Sequence, residues 1–536
     1  MAHDTVIYNA NIHTMDQSRP RAAWLHMRDG LILALGDGAA PDAETSIDAG
    51  GRLVLPGFQD AHIHLLNGGV DLLETAQLYE CTSLAEIKAV MASHAAGWTG
   101  PMVWGAGWQC GFFGDQNLTK AVLDAVVPDR PCLIFDGNFH NACLNSAAID
   151  MAGIDDHTPD PQNGHFVRDA SGHATGMLHE DAIAWAVIRL PQTSEATLKQ
   201  GLLAGQAHAN RHGITGVLDA QILDYHRQTY ADAAAQGVLS LQVAGAMHVS
   251  PAETVDSALA RLTAWRDACQ TQDFHLHSAK FFLDGGFENR TAATIAPYAD
   301  AKGGNAPLMF TPDQIRDFFT ALDAARFQIH VHCIGDAATR AALDGFGVAR
   351  AANGSWPSLH QIAHCQLVHP DDHSRFRDLG VMANFQPLWA CTDPVIPDDT
   401  MAMIGPARAR WTYALGSIIA AGAPFCISSD WAVTTLNSFE IIGTATTREP
   451  PRFRGRASAF FPDEAITVQE AVLGYTTHAA AACWRSGFSG ALSPGYSADA
   501  IVLDRDIMTC DPYDVATTEV LLTLFKGKPV YRNPGF

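Results

Sequence analysis

The sequence predicts an α/β protein whose centre is a closed (β/α)8 barrel. Three observations carry that expectation. Short apolar runs alternate with Ala/Leu/Arg-rich helical stretches over most of the chain, the pattern of a parallel sheet. The runs number eight. Several end in a His or Asp, and the C-terminal strand ends of such a barrel meet around one mouth.

The predicted barrel strands are Phe58–His62, Gly216–Asp219, Leu239–Ala244, Ala279–Leu283, Gln328–His332, His360–His364, Val381–Asn384 and Phe425–Ser428. Helical stretches between them include Pro312–Arg326, Ala337–Ala352 and Pro370–Leu379. Periodicity alone leaves an open sheet as the alternative. The barrel is expected over residues 56–65 and 201–484. Residues 66–200 are too long for a βα loop of about 2–6 residues. They carry a strand-like run of their own, Cys132–Phe135. They read as an inserted subdomain that emerges at the mouth and caps it. Residues 1–55 and 485–536 are β-rich, with Thr5–Tyr8, Ile12–Thr14, Leu31–Leu35, Ala500–Leu503 and Val530–Arg532 as strand-like runs. They are expected to pair into one small sheet unit, because chain ends often lie close together.

At 536 residues the chain exceeds a plain barrel of about 250. It carries 34 Lys and Arg against 57 Asp and Glu, a net charge of −23. Nucleic acid and anionic membrane surfaces attract basic proteins, so neither is an expected partner. No stretch of about 20 apolar residues predicts a membrane span. The start shows no secretory pattern. Eleven cysteines without a C-x-x-C pair read as free thiols in a reducing cytoplasm. The expected partner is a small-molecule substrate, and homo-oligomerisation stays open.

The chemistry is concentrated in Asp60-Ala61-His62-Ile63-His64. Alternation on a strand puts His62 and His64 on one side, where two imidazoles can hold a divalent cation. His332, His364 and Asp430 each close another apolar run. Singly, each reads as a hydrogen-bonded core or loop residue; jointly, they read as one metal site.

These stretches resemble the amidohydrolase superfamily, and within it the amidohydrolase-3 group that includes N-substituted formamide deformylases. The resemblance runs through Leu53–Gly57 into His64, Asp129-Arg130-Pro131, Gly213-Ile214-Thr215, Lys280–Gly285 with Arg290–Ala293, His332–Asp336, His364–Val368, Gln386-Pro387, Ser429-Asp430 and Ala498-Asp499. It implies a β-sandwich built from both termini beside the barrel, and one or two divalent ions, zinc by preference. It further implies His62, His64 and Asp430 on one ion, His332 and His364 on the other, and Lys280 bridging as a carbamate. The alternative for Lys280 is a salt-bridging or substrate-binding lysine. Asp430 would act as general base, and His364 as ligand or, alternatively, as oxyanion stabiliser.

Substrate contacts are expected from Trp108, Gln109, His140, Glu180, Phe282, Asp284, Trp389 and Trp431. For each aromatic residue among them ordinary core packing is the favoured reading, and the two acids serve equally as cap or surface groups. The expected reaction is hydrolysis of a non-peptide C–N bond, such as that of an N-substituted formamide. Hydrolysis of another amide, a lactam or an ester is the second reading, and a non-catalytic metal-binding protein the third. The chain departs from many relatives at Cys143-Leu144-Asn145, where they carry Trp-Val-Asn.

Overall fold

The computed structural model describes residues 4–109, 118–137, 139–392 and 400–536; the first three residues and Cys110 lie outside them. The eight predicted runs form one parallel sheet in strict chain order: β1 (Phe58–Ile63), β2 (Ile214–Ile222), β3 (Gln242–His248), β4 (Phe274–Phe282), β5 (Gln328–Cys333), β6 (Gln361–His364), β7 (Met382–Phe385) and β8 (Phe425–Ile427). An open sheet would leave β1 and β8 unjoined. Instead the Asp430 N–H donates to the His62 carbonyl at 2.9 Å and the His64 N–H to the Trp431 carbonyl at 2.6 Å, closing the ring at its mouth. β4 begins five residues earlier than its apolar core suggests. His275 and His277 look like polar interruptions in sequence, yet both lie in the strand.

The surrounding helices follow from local signals. Pro312–Ala324 opens with a reciprocal cap: Thr311 Oγ1 accepts from the Gln314 N–H, and Gln314 Oε1 accepts from the Thr311 N–H. Proline occupies the first turn, where its missing N–H costs nothing. Ile315, Phe318, Phe319 and Leu322 recur at helical spacing and are buried; each burial contributes roughly 1.5–3 kcal/mol. Gly380, at φ +67°, ends the helix His373–Leu379 and turns the chain into β7.

The long segment after β1 is held at its two ends. Helix α1 (Leu65–Glu74) follows β1 directly, and helix α2 (Glu195–Arg211) precedes β2. They pack together so closely that a Cβ on Gly69 would stand 2.0 Å from the Gly201 carbonyl oxygen. Only glycine permits that approach. The chain therefore leaves and rejoins the barrel at one place. Between them stands a six-stranded mixed sheet in the order Gly164–Arg168, Ala174–Glu180, Asn141–Leu144, Cys132–Asp136, Val103–Trp108, Thr75–Gln77.

Both ends of the chain share two further sheets. Leu53–Pro56, Asn11–His13 and Arg21–Ala22 continue a sheet begun by Lys528–Arg532, Val520–Phe525 and Ala500–Leu503. A four-stranded sheet of Leu31–Gly36, Trp24–Arg28, Asp4–Tyr8 and Thr45–Asp48 faces it. Ile7, Leu25, Met27 and Ile47 on one sheet and Val54, Val502, Leu522 and Leu524 on the other form one apolar cluster. Among the described residues, no helix is long and apolar enough to cross a membrane.

Candidate metal centre

The mouth of the barrel opens into a cavity of about 1060 Å³. His62, His64, Lys280, His332, His364 and Asp430 all line it. The fold brings them there from five strand ends. His62 and His64 come from β1, Lys280 from β4, His332 from β5 and His364 from β6, and Asp430 follows β8. His364 and Asp430 have φ of +76° and +55°. Such values are costly for residues other than glycine and persist where surrounding structure imposes them.

One donor from each of His62, His64 and Asp430 lies within 4.8 Å of the others, the one such metal-type grouping among the described residues. Asp430 Oδ1 stands 3.2 Å from His64 Nε2 and 3.5 Å from His62 Nε2. Neither contact has hydrogen-bond geometry, so that buried oxygen is without a hydrogen-bond partner. Two imidazole nitrogens and an unclaimed carboxylate oxygen aimed at one point fit a divalent cation. His332 and His364 stand beside this group, their rings 4.4 Å apart, with His364 5.0 Å from the His62 ring. Lys280 Nζ is fully buried and has no hydrogen-bond partner; it lies 4.6 Å from the Phe282 ring.

Electrostatics suit the same purpose. Burial holds the imidazoles of His62, His330 and His332 well below their usual value and brings His364 down to about 3. Neutral imidazole is the form that binds metal. Burial also lowers the Lys280 ammonium, to about 8, although the Asp430 charge opposes it. For Asp430, burial pushes upward, but the pull of His64, His364 and Lys280 outweighs it and leaves the carboxyl below its ordinary value.

Behind the ligand-type residues lies a set of orienting groups. His330 Nε2 shares a 2.8 Å hydrogen bond with His62 Nδ1. His364 Nδ1 donates to Gln386 Oε1 at 2.9 Å, and the Gln386 amide donates to Ser428 Oγ at 2.7 Å. The fully buried Asp60 accepts from the Ser429 and His62 N–H groups, tying β1 to the segment that carries Asp430. Partners of this kind fix the tautomer and aim of a ligating ring. Sequence reasoning assigned none of the three a role. The signal for His330 was present: it precedes His332 by two on a strand and shares its side. Gln386 was marked only by the matching stretch Gln386-Pro387, which carried no role for it.

Of the eight expected substrate contacts, six line the cavity: Trp108, Gln109, His140, Glu180, Phe282 and Trp389. His140 Nδ1 donates to Glu180 Oε2 at 2.8 Å, and Glu180 Oε1 accepts from Thr291 Oγ1 at 2.7 Å. Burial alone would lower the His140 imidazole; the Glu180 charge and hydrogen bond outweigh it and hold it up at about 9. Trp389 stacks on His364 at 5.4 Å, and Phe282 lies 5.2 Å from His332.

The other two expectations are corrected. Asp284 is fully buried behind the wall, and its carboxylate accepts from the backbone N–H groups of Ala293, Ile334 and Gly335. It anchors the loops after β4 and β5 and has no face toward a ligand. Trp431 is buried against Gly68 of α1 and the His208 ring, on the far side of its neighbour Asp430.

A model of the amidohydrolase family matches residues 45–531. The chain belongs to the amidohydrolase family. Full-length relatives resemble this amidohydrolase at similar levels. Protein LONG AFTER FAR-RED 3 of Arabidopsis thaliana is 27% identical, covering 98% of this chain and 91% of its own. The N-substituted formamide deformylase of Arthrobacter pascens is 26% identical, covering 99% of each. Among solved structures, an uncharacterized metal-dependent hydrolase from Pyrococcus horikoshii OT3 shares the fold with a TM-score of 0.75 and 22% identity. That match covers 95% of this chain and 99% of that one. The amidohydrolase described here is thus a metal-dependent hydrolase of carbon–nitrogen bonds.

Proposed function

We propose that this amidohydrolase cleaves the amide of a small N-substituted formamide at the mouth of the barrel, with His62, His64 and Asp430 holding zinc. The observation that carries the reading is the convergence of three donors, one an unclaimed carboxylate oxygen, at the floor of a small-molecule-sized cavity. Imidazole and carboxylate donors suit zinc. A second ion would take His332 and His364, with Lys280 bridging as a carbamate. Its unpartnered amine and lowered basicity favour reaction with CO₂.

The metal, when bound, supplies a Lewis acid for the carbonyl and a water that ionises near neutral pH. The chain's own groups do the rest. Asp430 takes the proton of the attacking water and returns it to the departing amine, which leaves poorly unless protonated. His140, aimed by Glu180, donates from Nε2 toward the carbonyl oxygen as negative charge develops there. His364 serves as ligand with its other nitrogen committed to Gln386. Trp108, Phe282 and Trp389 pack the N-substituent and Gln109 orients it.

In this reading residues 66–200 form a cap over the barrel, residues 56–65 and 201–484, and the terminal sheets form a separate unit of 1–55 and 485–536. No two of the ten described cysteines are joined in a disulfide, which supports a reducing, cytoplasmic setting. The test is elemental analysis of protein purified without added metal, paired with hydrolysis of N-benzylformamide. One or two zinc ions per chain, and formate release lost on chelation and restored by zinc, is the expected result. Protein without bound metal, and without activity after zinc, manganese or iron is supplied, would overturn the reading.

A further inference from the structure

The cavity wall nearest β1 carries a carboxylate that the reaction above leaves unused. Helix α1 starts one residue after His64. Its Asn67 and Asp71, four residues apart, share a face and line the cavity. Asp71 Oδ1 accepts a hydrogen bond from Thr75 Oγ1 at 3.1 Å. Among the described residues its carboxylate has no other partner, and no Lys or Arg pairs with it. Tyr79 and Tyr225 both feel the Asp71 charge but donate elsewhere. Tyr79 donates to the Ala432 carbonyl at 2.7 Å, and Tyr225 to Asn67 Oδ1 at 3.1 Å. Burial, acting against the Thr75 hydrogen bond, pushes the Asp71 carboxyl up to about 7. Asp71 is half-buried at the cavity wall, the opposing charge that acts on it is that of His64, and a cationic ligand in the cavity would give it a direct counter-charge.

The rest of the wall is mixed in charge, with Lys302 and the His140–Glu180 pair in the lining. Arg290 is tied to Asp300 at 2.6 Å, and Lys280 stands among the histidines of the floor. Asp181 and Glu288 add acidic groups to the lining. Trp108 and Phe139 add aromatic rings, which attract cations.

We propose that Asp71, with Asn67 one turn before it, is a subsite for a positively charged nitrogen, so that the amides this cavity takes carry an ammonium group on the side of the cavity formed by helix α1. The inference rests on reading the cavity as the site of amide hydrolysis, but its test does not depend on turnover.

Binding of benzylammonium and of benzyl alcohol, the same ring with and without charge, is measured by calorimetry on the metal-loaded protein at pH 7.5. The wild type is expected to bind benzylammonium about tenfold more tightly. Asp71→Asn is expected to bring the two ligands within about twofold while leaving benzyl alcohol unchanged, and Asp71→Glu to retain the preference. Equal affinities in the wild type would overturn the proposal without recourse to any variant. So would an undiminished preference in Asp71→Asn, which would assign the selectivity to the other acids. Failure to hydrolyse N-benzylformamide would count against the activity and leave this result standing.

Discussion

The two ends of the barrel are both polar and both rich in histidine and amide side chains, yet they do opposite things. At the mouth, His62, His64 and Asp430 direct donors at a common point. At the base, most strand-starting polar groups bond within the protein, and those left over, Gln59 Oε1, Gln242 Nε2 and the His277 nitrogens, do not gather with a carboxylate at a common point. Gln328 donates to the Leu359 and Ala482 carbonyls at 2.8 and 2.9 Å. Gln361 donates to Gln328 and to the same Ala482 carbonyl, at 3.0 and 3.2 Å. Arg485 donates to Gln242, and His275 to the Cys483 carbonyl at 3.1 Å. The segment Ala482–Arg485 plugs the ring there. The presence of polar residues in a barrel therefore does not mark a site. What marks it is donors that converge and are not consumed by the protein itself.

The contrast can be broken at its strongest point first. Asp430→Asn keeps the shape of the side chain but removes the base and one ligand charge. It should lower kcat/KM for amide hydrolysis by about 10³-fold while the circular dichroism spectrum stays that of the wild type. Activity within tenfold of wild type would mean that another group moves the proton. His62→Ala removes a donor from the trio, and elemental analysis should find most of the metal gone.

Glu180→Gln tests the mouth at one remove, since Glu180 acts only through His140. The imidazole is protonated below about pH 9, so its donor capacity is present at neutral pH and lost as pH rises through that value. Without the carboxylate the imidazole reverts toward the low value that burial favours. The alkaline limb of the kcat profile should move to lower pH, with kcat at pH 7.5 down about tenfold. An unmoved limb would leave Glu180 only the structural task of holding Thr291. At the base, Gln361→Leu should cost stability and nothing else. Equilibrium unfolding should register about 1–3 kcal/mol for the buried Gln328 Oε1 left without its donor, with metal content and kcat unchanged.

Much of this was legible in the chain. All eight strands were visible because a barrel strand is buried on both faces and reads as a short apolar run. His62, His64, His332, His364 and Asp430 were visible because each terminates such a run. Less visible were residues whose function depends on what stands opposite. Trp431 sits next to Asp430 in sequence, yet consecutive side chains diverge and it packs on α1. Asp284 follows a motif strand and is consumed by three backbone N–H groups contributed by two separate loops.

The sequence by itself determined the barrel, the paired histidines of β1 and the strand ends from which the other ligand-type residues come. These are local properties, written in periodicity and in the alternation of side chains along a strand. Only the tertiary structure decided that His330 backs His62, that Gln386 aims His364, and that Asp71 stands in the wall of the cavity. Each of those depends on a contact or a juxtaposition between segments up to hundreds of residues apart, and a hydrogen-bond partner is fixed by where the chain returns in space.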